Sequence, residues 1–140
     1  MKTSEIEEIL NAFSAQEFTA AEAAEKIKNL SYENIGYARV DHARAARQGF
    51  PEVIFGEGKT RAQIVGIFER LIERAPNVLI TRTTADVFGE IRNVHTEAEW
   101  HADARIIRLF RDRTEHGAGK IAVVTAGTSD IPVAEEAALT

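Results

Sequence analysis

Apolar residues recur at helical spacing in two stretches near the start of the chain. Ile6, Ile9, Leu10 and Phe13 follow Thr3, a good N-cap, with acids in the first turn. Thr19 with Glu22 three residues later is a capping-box pattern, and Ala23, Ala24 and Ile27 give the helix behind it a narrow apolar face. Residues 1–34 therefore predict a small helical hairpin, whose apolar faces serve packing or self-association. Ile35 to Val40 alternates loosely, as an extended segment does. Asp41 can cap a short helix from His42 to Gln48, with Gly49 placed as its left-handed terminator. Phe50-Pro51 then forces the chain extended.

The next 30 residues change period twice. Glu52-Val53-Ile54-Phe55 reads as a buried strand and Gly56-Glu57-Gly58 as a turn. Thr60 to Arg74 carries Ile64, Ile67, Phe68, Leu71 and Ile72 on one helical stripe, stopped by Pro76. Val78 to Thr81 is a second strand. Strand, helix and strand in this order predict a parallel βαβ unit. Ala85 to Ile91 predicts a helix. Ala104 to Phe110 fits both periods; its β-branched pair favours a strand, with a helix over 97–113 as the alternative.

His116 to Gly119 is a break. Ile121-Ala122-Val123-Val124-Thr125 then reads as a strand buried inside a parallel sheet. Ala126 to Asp130 is a tight loop, and Pro132 with Glu135-Glu136 opens a helix. A lone strand with one covering helix is not stable by itself. The expectation is a domain at 1–118 and, from 119 to 140, the first strand, loop and helix of a second domain. The fold class is α/β: an α+β N-terminal domain with a βαβ unit, then the opening of a flavodoxin-like domain.

Composition narrows the function classes. With 44% hydrophobic and 28% charged residues in 140, the chain can bury roughly two-thirds of its unfolded surface. No apolar run approaches the ~18 residues of a membrane span, and the N-terminus is acidic from Glu5 on, so neither membrane nor secretion is expected, and the cytoplasm is. The chain has no Cys, which removes disulfides, Cys-ligated zinc and a Cys nucleophile from these residues. The net charge is -5, with seven Glu against three Lys over 1–34 and seven Arg or Lys against five acids over 39–74. That balance excludes bulk nucleic-acid binding but suits a small anion gripped by a few basic side chains.

Four constellations could carry chemistry. Gly127-Thr128-Ser129-Asp130 sits between strand and helix, where free N–H groups, two hydroxyls and a helix dipole suit a phosphate or carboxylate; the plainer reading is that Ser129 and Asp130 cap the helix. Gly56-Glu57-Gly58-Lys59-Thr60 resembles half a P-loop, but the required first glycine is Val53, so no triphosphate loop forms. Lys59 remains a candidate for a single phosphate contact. Asp41, Arg44 and Arg47 share a helical face that could grip an anion, or form a surface ion pair. His95, Glu97, Glu99, His101 and Asp103 would share one face of a strand, but without a metal-binding spacing they read as a solvated face and not a metal site.

The run Asp41 to Thr60 (DHARAARQGFPEVIFGEGKT) and the run Val124 to Ala138 (VTAGTSDIPVAEEAA) closely resemble the LarB family. These are nicotinic acid adenine dinucleotide carboxylase/hydrolases of nickel-pincer cofactor biosynthesis, related to the PurE-type aminoimidazole ribonucleotide carboxylases. The resemblance covers the chain from about Tyr37 onward. It implies a family-specific N-terminal domain followed by a flavodoxin-like domain whose Gly-Ser-x-Ser-Asp loop holds substrate phosphate and carboxylate. Gly127, Thr128, Ser129 and Asp130 fall at that loop, one residue shorter. Arg44, Arg47 and Lys59 are the accompanying candidates for substrate binding. The resemblance further implies a dinucleotide substrate, carbon dioxide or bicarbonate as co-substrate, Mg²⁺ in the full-length enzyme but no cofactor within these residues, and a homo-oligomer. The family's thiolate comes from a Cys late in the C-terminal domain, so these 140 residues alone are expected to be inactive. The alternatives are a purine-pathway carboxymutase and a non-catalytic interaction or oligomerisation module.

Overall fold

The computed structural model describes residues 3–30, 32–41, 53–114, 117 and 119–140. It groups the chain into two compact units, 1–50 and 51–140.

In the first unit, α1 (Thr3–Ser14) and α2 (Ala20–Asn29) pack together. The capping box predicted at α2 forms: the Glu22 N–H donates to Thr19 Oγ1 at 3.3 Å, and the Thr19 N–H donates to the Glu22 carboxylate at 2.7 Å. In place of one extended segment over 35–40 there is a hairpin, β1 (Tyr32–Asn34) antiparallel to β2 (Arg39–Asp41), with 35–38 as its turn. Its turn is shaped by Gly36, at φ +87°, whose N–H donates to Asn34 Oδ1 at 2.9 Å. Arg39 lies over the Tyr32 ring and reaches Asn29 of α2. The helix expected over 42–48 lies outside the described residues.

The second unit is built on a four-stranded mixed sheet, ordered β3-β4-β6-β5, from β3 (Val53–Phe55), β4 (Asn77–Thr81), β5 (Glu99–His101) and β6 (Ile106–Phe110). β3 and β4 are parallel and joined by α3 (Arg61–Ile72), which is the expected βαβ unit. α3 starts in a capping box between Thr60 and Gln63 and buries Ile64, Ile67, Phe68 and Leu71. α4 (Ala85–Val94) packs on α3 and buries Val87 and Ile91. Ala104–Phe110 resolves as a turn and the strand β6, which is antiparallel to both β4 and β5 and buried, so the helical alternative fails. The helices and mixed sheet make this an α/β fold.

Leu79 and Ile80 both have 0% exposure, so β4 is covered on both faces. On Leu79's face the cover includes α5 (Ile131–Leu139): Leu139 packs with Val53 against Leu79, Ala104 and Ile106. The strand expected over 121–125 is absent. Residues 121–126 pair with none of the described strands, and Ile121 and Val124 are 96% and 89% exposed. An apolar β-branched run becomes a strand only when a neighbour takes its backbone hydrogen bonds, and none of the described strands does. Among the described residues no helix is long and apolar enough to cross a membrane.

Candidate functional site

The carboxyl ends of the parallel strands β3 and β4 are where an α/β sheet offers a ligand crevice. At β3 the chain turns through Gly56, Glu57 and Gly58 into α3. Gly58 has φ +78°, the left-handed conformation that glycine takes without strain. At β4 it turns through Arg82, itself left-handed at φ +50°, and the Thr83 N–H donates to the Arg105 carbonyl at 3.0 Å.

Arg82 organises this edge. Its guanidinium reaches Glu57 at 2.9 Å and Glu136 of α5 at 3.3 Å, and it lies 5.0 Å from the centroid of the Phe55 ring. The hydrogen bond to Glu57, and then the charge of Glu136, raise its already high pKa further. Thr83 beside it is 2% exposed, and its hydroxyl has no hydrogen-bond partner among the described residues. Sequence patterns did not single out Arg82. Its signal is positional: it is the first residue past a buried strand that runs parallel to its neighbour.

Lys59 stands at the same edge, exposed. Its Nζ donates to the Phe55 carbonyl at 2.8 Å, which holds the ammonium over the end of β3; among the described residues its other two protons have no hydrogen-bond partner. Arg44 and Arg47 lie outside the described residues.

Gly127 leads into one 3-10 turn, Thr128–Asp130, and then α5. Thr128, Ser129 and Asp130 are exposed. Neither the turn nor the helix receives a side-chain cap; instead Ser129 Oγ donates to Asp130 Oδ1 at 3.4 Å. A side chain at 127 would meet the Asp130 carboxylate at 3.1 Å, so Gly127 keeps that carboxylate close to the backbone. Six residues, roughly 9 Å of helix, separate Asp130 from Glu136. Among the described residues no hydrogen bond or ion pair joins Lys59 to the Gly127–Asp130 loop.

Glu97 and Glu99, in the acidic and His-rich stretch after α4, are held by arginines. Glu99 accepts from Arg108, its cross-strand partner, at 2.6 Å and from Arg113 at 3.1 Å; Glu97 accepts from Arg111 at 2.7 Å. His95 Nε2 lies 3.1 Å from Glu69, with its ring edge-on to Phe68. Arg111 and Arg108 hold the Glu97 and Glu99 carboxyls below their ordinary range. Among the described residues no three His, Asp or Glu side chains cluster together. One hollow, about 640 Å³, opens at the α1–α2 junction between Phe13, Gln16, Phe18 and Glu22, and holds none of the predicted site residues.

Residues 32–111 match the family described as the LarB/PurE-like N-terminal domain. The chain is 33% identical over 140 aligned residues to an uncharacterized protein of Methanocaldococcus jannaschii. That alignment takes in 94% of this chain and 54% of the archaeal protein, so the chain spans about half the length of that relative. The match runs from the β1–β2 hairpin to the residue after β6 and so includes the Gly56–Lys59 turn, Arg82 and the Glu97–Arg111 pair: the chain belongs to the LarB/PurE-like N-terminal domain family.

Proposed function

We propose that these residues are the N-terminal portion of a LarB-type enzyme. It carboxylates the pyridinium ring of nicotinic acid adenine dinucleotide and hydrolyses the phosphoanhydride, releasing AMP. The observation that carries this reading is membership of the LarB/PurE-like family over residues 32–111. The PurE-like loop signature at Gly127–Asp130 supports it from outside that span, because its hydroxyls and carboxylate are not used as helix caps.

A pyridinium ring is electron-poor and does not attack carbon dioxide. Addition of a thiolate to the ring gives a dihydropyridine whose enamine carbon does. Loss of the proton at that carbon and expulsion of the thiolate restore the aromatic ring. These 140 residues hold no Cys, so the nucleophile comes from outside them, and the chain alone is inactive in this reading. What the chain contributes is binding. Thr128, Ser129 and the backbone after Gly127 accept a phosphate or carboxylate, and Asp130 orients a hydroxyl. Lys59 supplies positive charge for the pyrophosphate. The complete enzyme is a cytoplasmic homo-oligomer that takes carbon dioxide or bicarbonate as second substrate.

The test is a polypeptide carrying these residues together with a PurE-like domain and its Cys, incubated with nicotinic acid adenine dinucleotide and bicarbonate. Mass spectrometry should find a carboxylated pyridinium mononucleotide and AMP. A folded protein yielding neither overturns the proposal, and consumption of aminoimidazole ribonucleotide instead would assign the purine carboxymutase.

A further inference from the structure

We infer that Arg82 is a positioning residue: it latches α5 to the carboxyl edge of the β3–β4 pair and thereby sets where the Gly127–Asp130 loop stands. The inference rests on the proposed function only for its consequence in substrate binding.

α5 needs such a latch. It has nine residues, a length at which an isolated helix is marginal in water. The segment before it, 121–126, makes no strand pairing and is exposed, so it does not steer the helix. Two contacts of the helix stand out among the described residues. Leu139, in its last turn, packs on the Leu79–Ala104–Ile106 cluster, and Glu136, one turn earlier, meets Arg82. One apolar contact leaves a helix free to swivel; a second, directional contact one turn away removes that freedom.

Arg82 is built to be the fixed partner. Its guanidinium is planar and presents several donors, so it can take two carboxylates at once. Glu57, on the turn that follows β3, fixes one side of it and the Phe55 ring supports it from another. Its left-handed backbone at the exit of β4 aims the side chain across the strand ends rather than continuing the pleat. Glu136, at 24% side-chain exposure, is the least exposed of the three charged groups, so it is the better shielded arm of the network.

Hydrogen exchange on the 140-residue chain reads the latch directly. Glu136→Gln and Arg82→Ala should speed exchange of the α5 amides up to about fivefold, with α3 and β4 unchanged as internal evidence of folding. Arg82→Lys keeps the charge but loses the fork, and should fall between. Added salt should speed α5 exchange in the parent and not in Arg82→Ala. Unchanged α5 exchange in both Glu136→Gln and Arg82→Ala overturns the latch. In the longer, Cys-containing polypeptide, Glu136→Gln should raise KM for the dinucleotide and leave kcat in place. Faster exchange with an unchanged KM leaves the latch standing and removes the Gly127–Asp130 loop from substrate binding.

Discussion

Gly56 donates its N–H to the Thr81 carbonyl at 2.8 Å, carrying the parallel pairing one residue beyond Phe55. That same oxygen lies 2.8 Å from where a Cβ at 56 would be, with the Arg82 carbonyl at 3.1 Å. Both are backbone atoms and cannot swing aside. Gly56→Ala should therefore destabilise the second unit by about 1–3 kcal/mol, read as a lower urea midpoint. A midpoint equal to the parent's would mean that the turn relaxes without cost.

Thr60 and Gln63 satisfy two of the free N–H groups of α3, at 2.9 and 3.3 Å. Thr60→Ala should cost about 1 kcal/mol, and Thr60→Ser should restore most of it because the accepting oxygen is kept. Thermal unfolding followed by circular dichroism checks both. Equal losses in the two variants would assign the effect to the methyl group rather than to the cap.

Phe68 and Phe55 make a controlled pair. Phe68 is fully buried and edge-on to His95, so Phe68→Ala should cost about 3–5 kcal/mol. Phe55 is 46% exposed and supports Arg82 and Lys59 through its ring face, so Phe55→Ala should cost no more than about 1 kcal/mol. Urea denaturation of the two variants should rank them in this order; the reverse ranking would place the core on the wrong side of β3.

The carboxyls of Glu97, Glu99 and Asp86 are all held below their ordinary values, by Arg111, Arg108 and Thr84 respectively as the leading causes. A depressed carboxyl contributes stability that is present above its unfolded pKa and lost as pH falls through the folded one. Urea midpoints should thus hold steady down to about pH 5 and decline on further acidification below the ordinary glutamate value of 4.5. Glu99→Gln should lower the neutral midpoint and flatten the acid decline. An acid limb of unchanged steepness would show that Glu99 titrates alike in the folded and unfolded chain.

The parts of this fold legible in the chain are those where one short segment holds the whole signal. The five-residue apolar stripe from Ile64 to Ile72, closed by Pro76, announces α3, and Thr19 with Glu22 announces α2. The capping box at Thr60 was present in the same form, with Gln63 in the third position. Ala104–Phe110 was ambiguous because its five apolar residues fit either period; β4 and β5 on its two sides settle it as strand. Ile121–Thr125 shows the opposite outcome, since the same β-branched composition without a neighbour stays unpaired.

By itself the sequence determined the local grammar: where helices start and stop, the βαβ order, the missing thiol, and two runs similar enough to a family to suggest carboxylation chemistry. These follow from side-chain period, cap chemistry and composition, which act over a few residues. Only the tertiary structure decided that β6 inserts antiparallel between β4 and β5, that Glu97 and Glu99 are consumed by arginines, and that Arg82 meets both Glu57 and Glu136. Those contacts join residues 9 to 54 positions apart, and a charged side chain carries no mark in the sequence of which opposite charge the fold will bring to it.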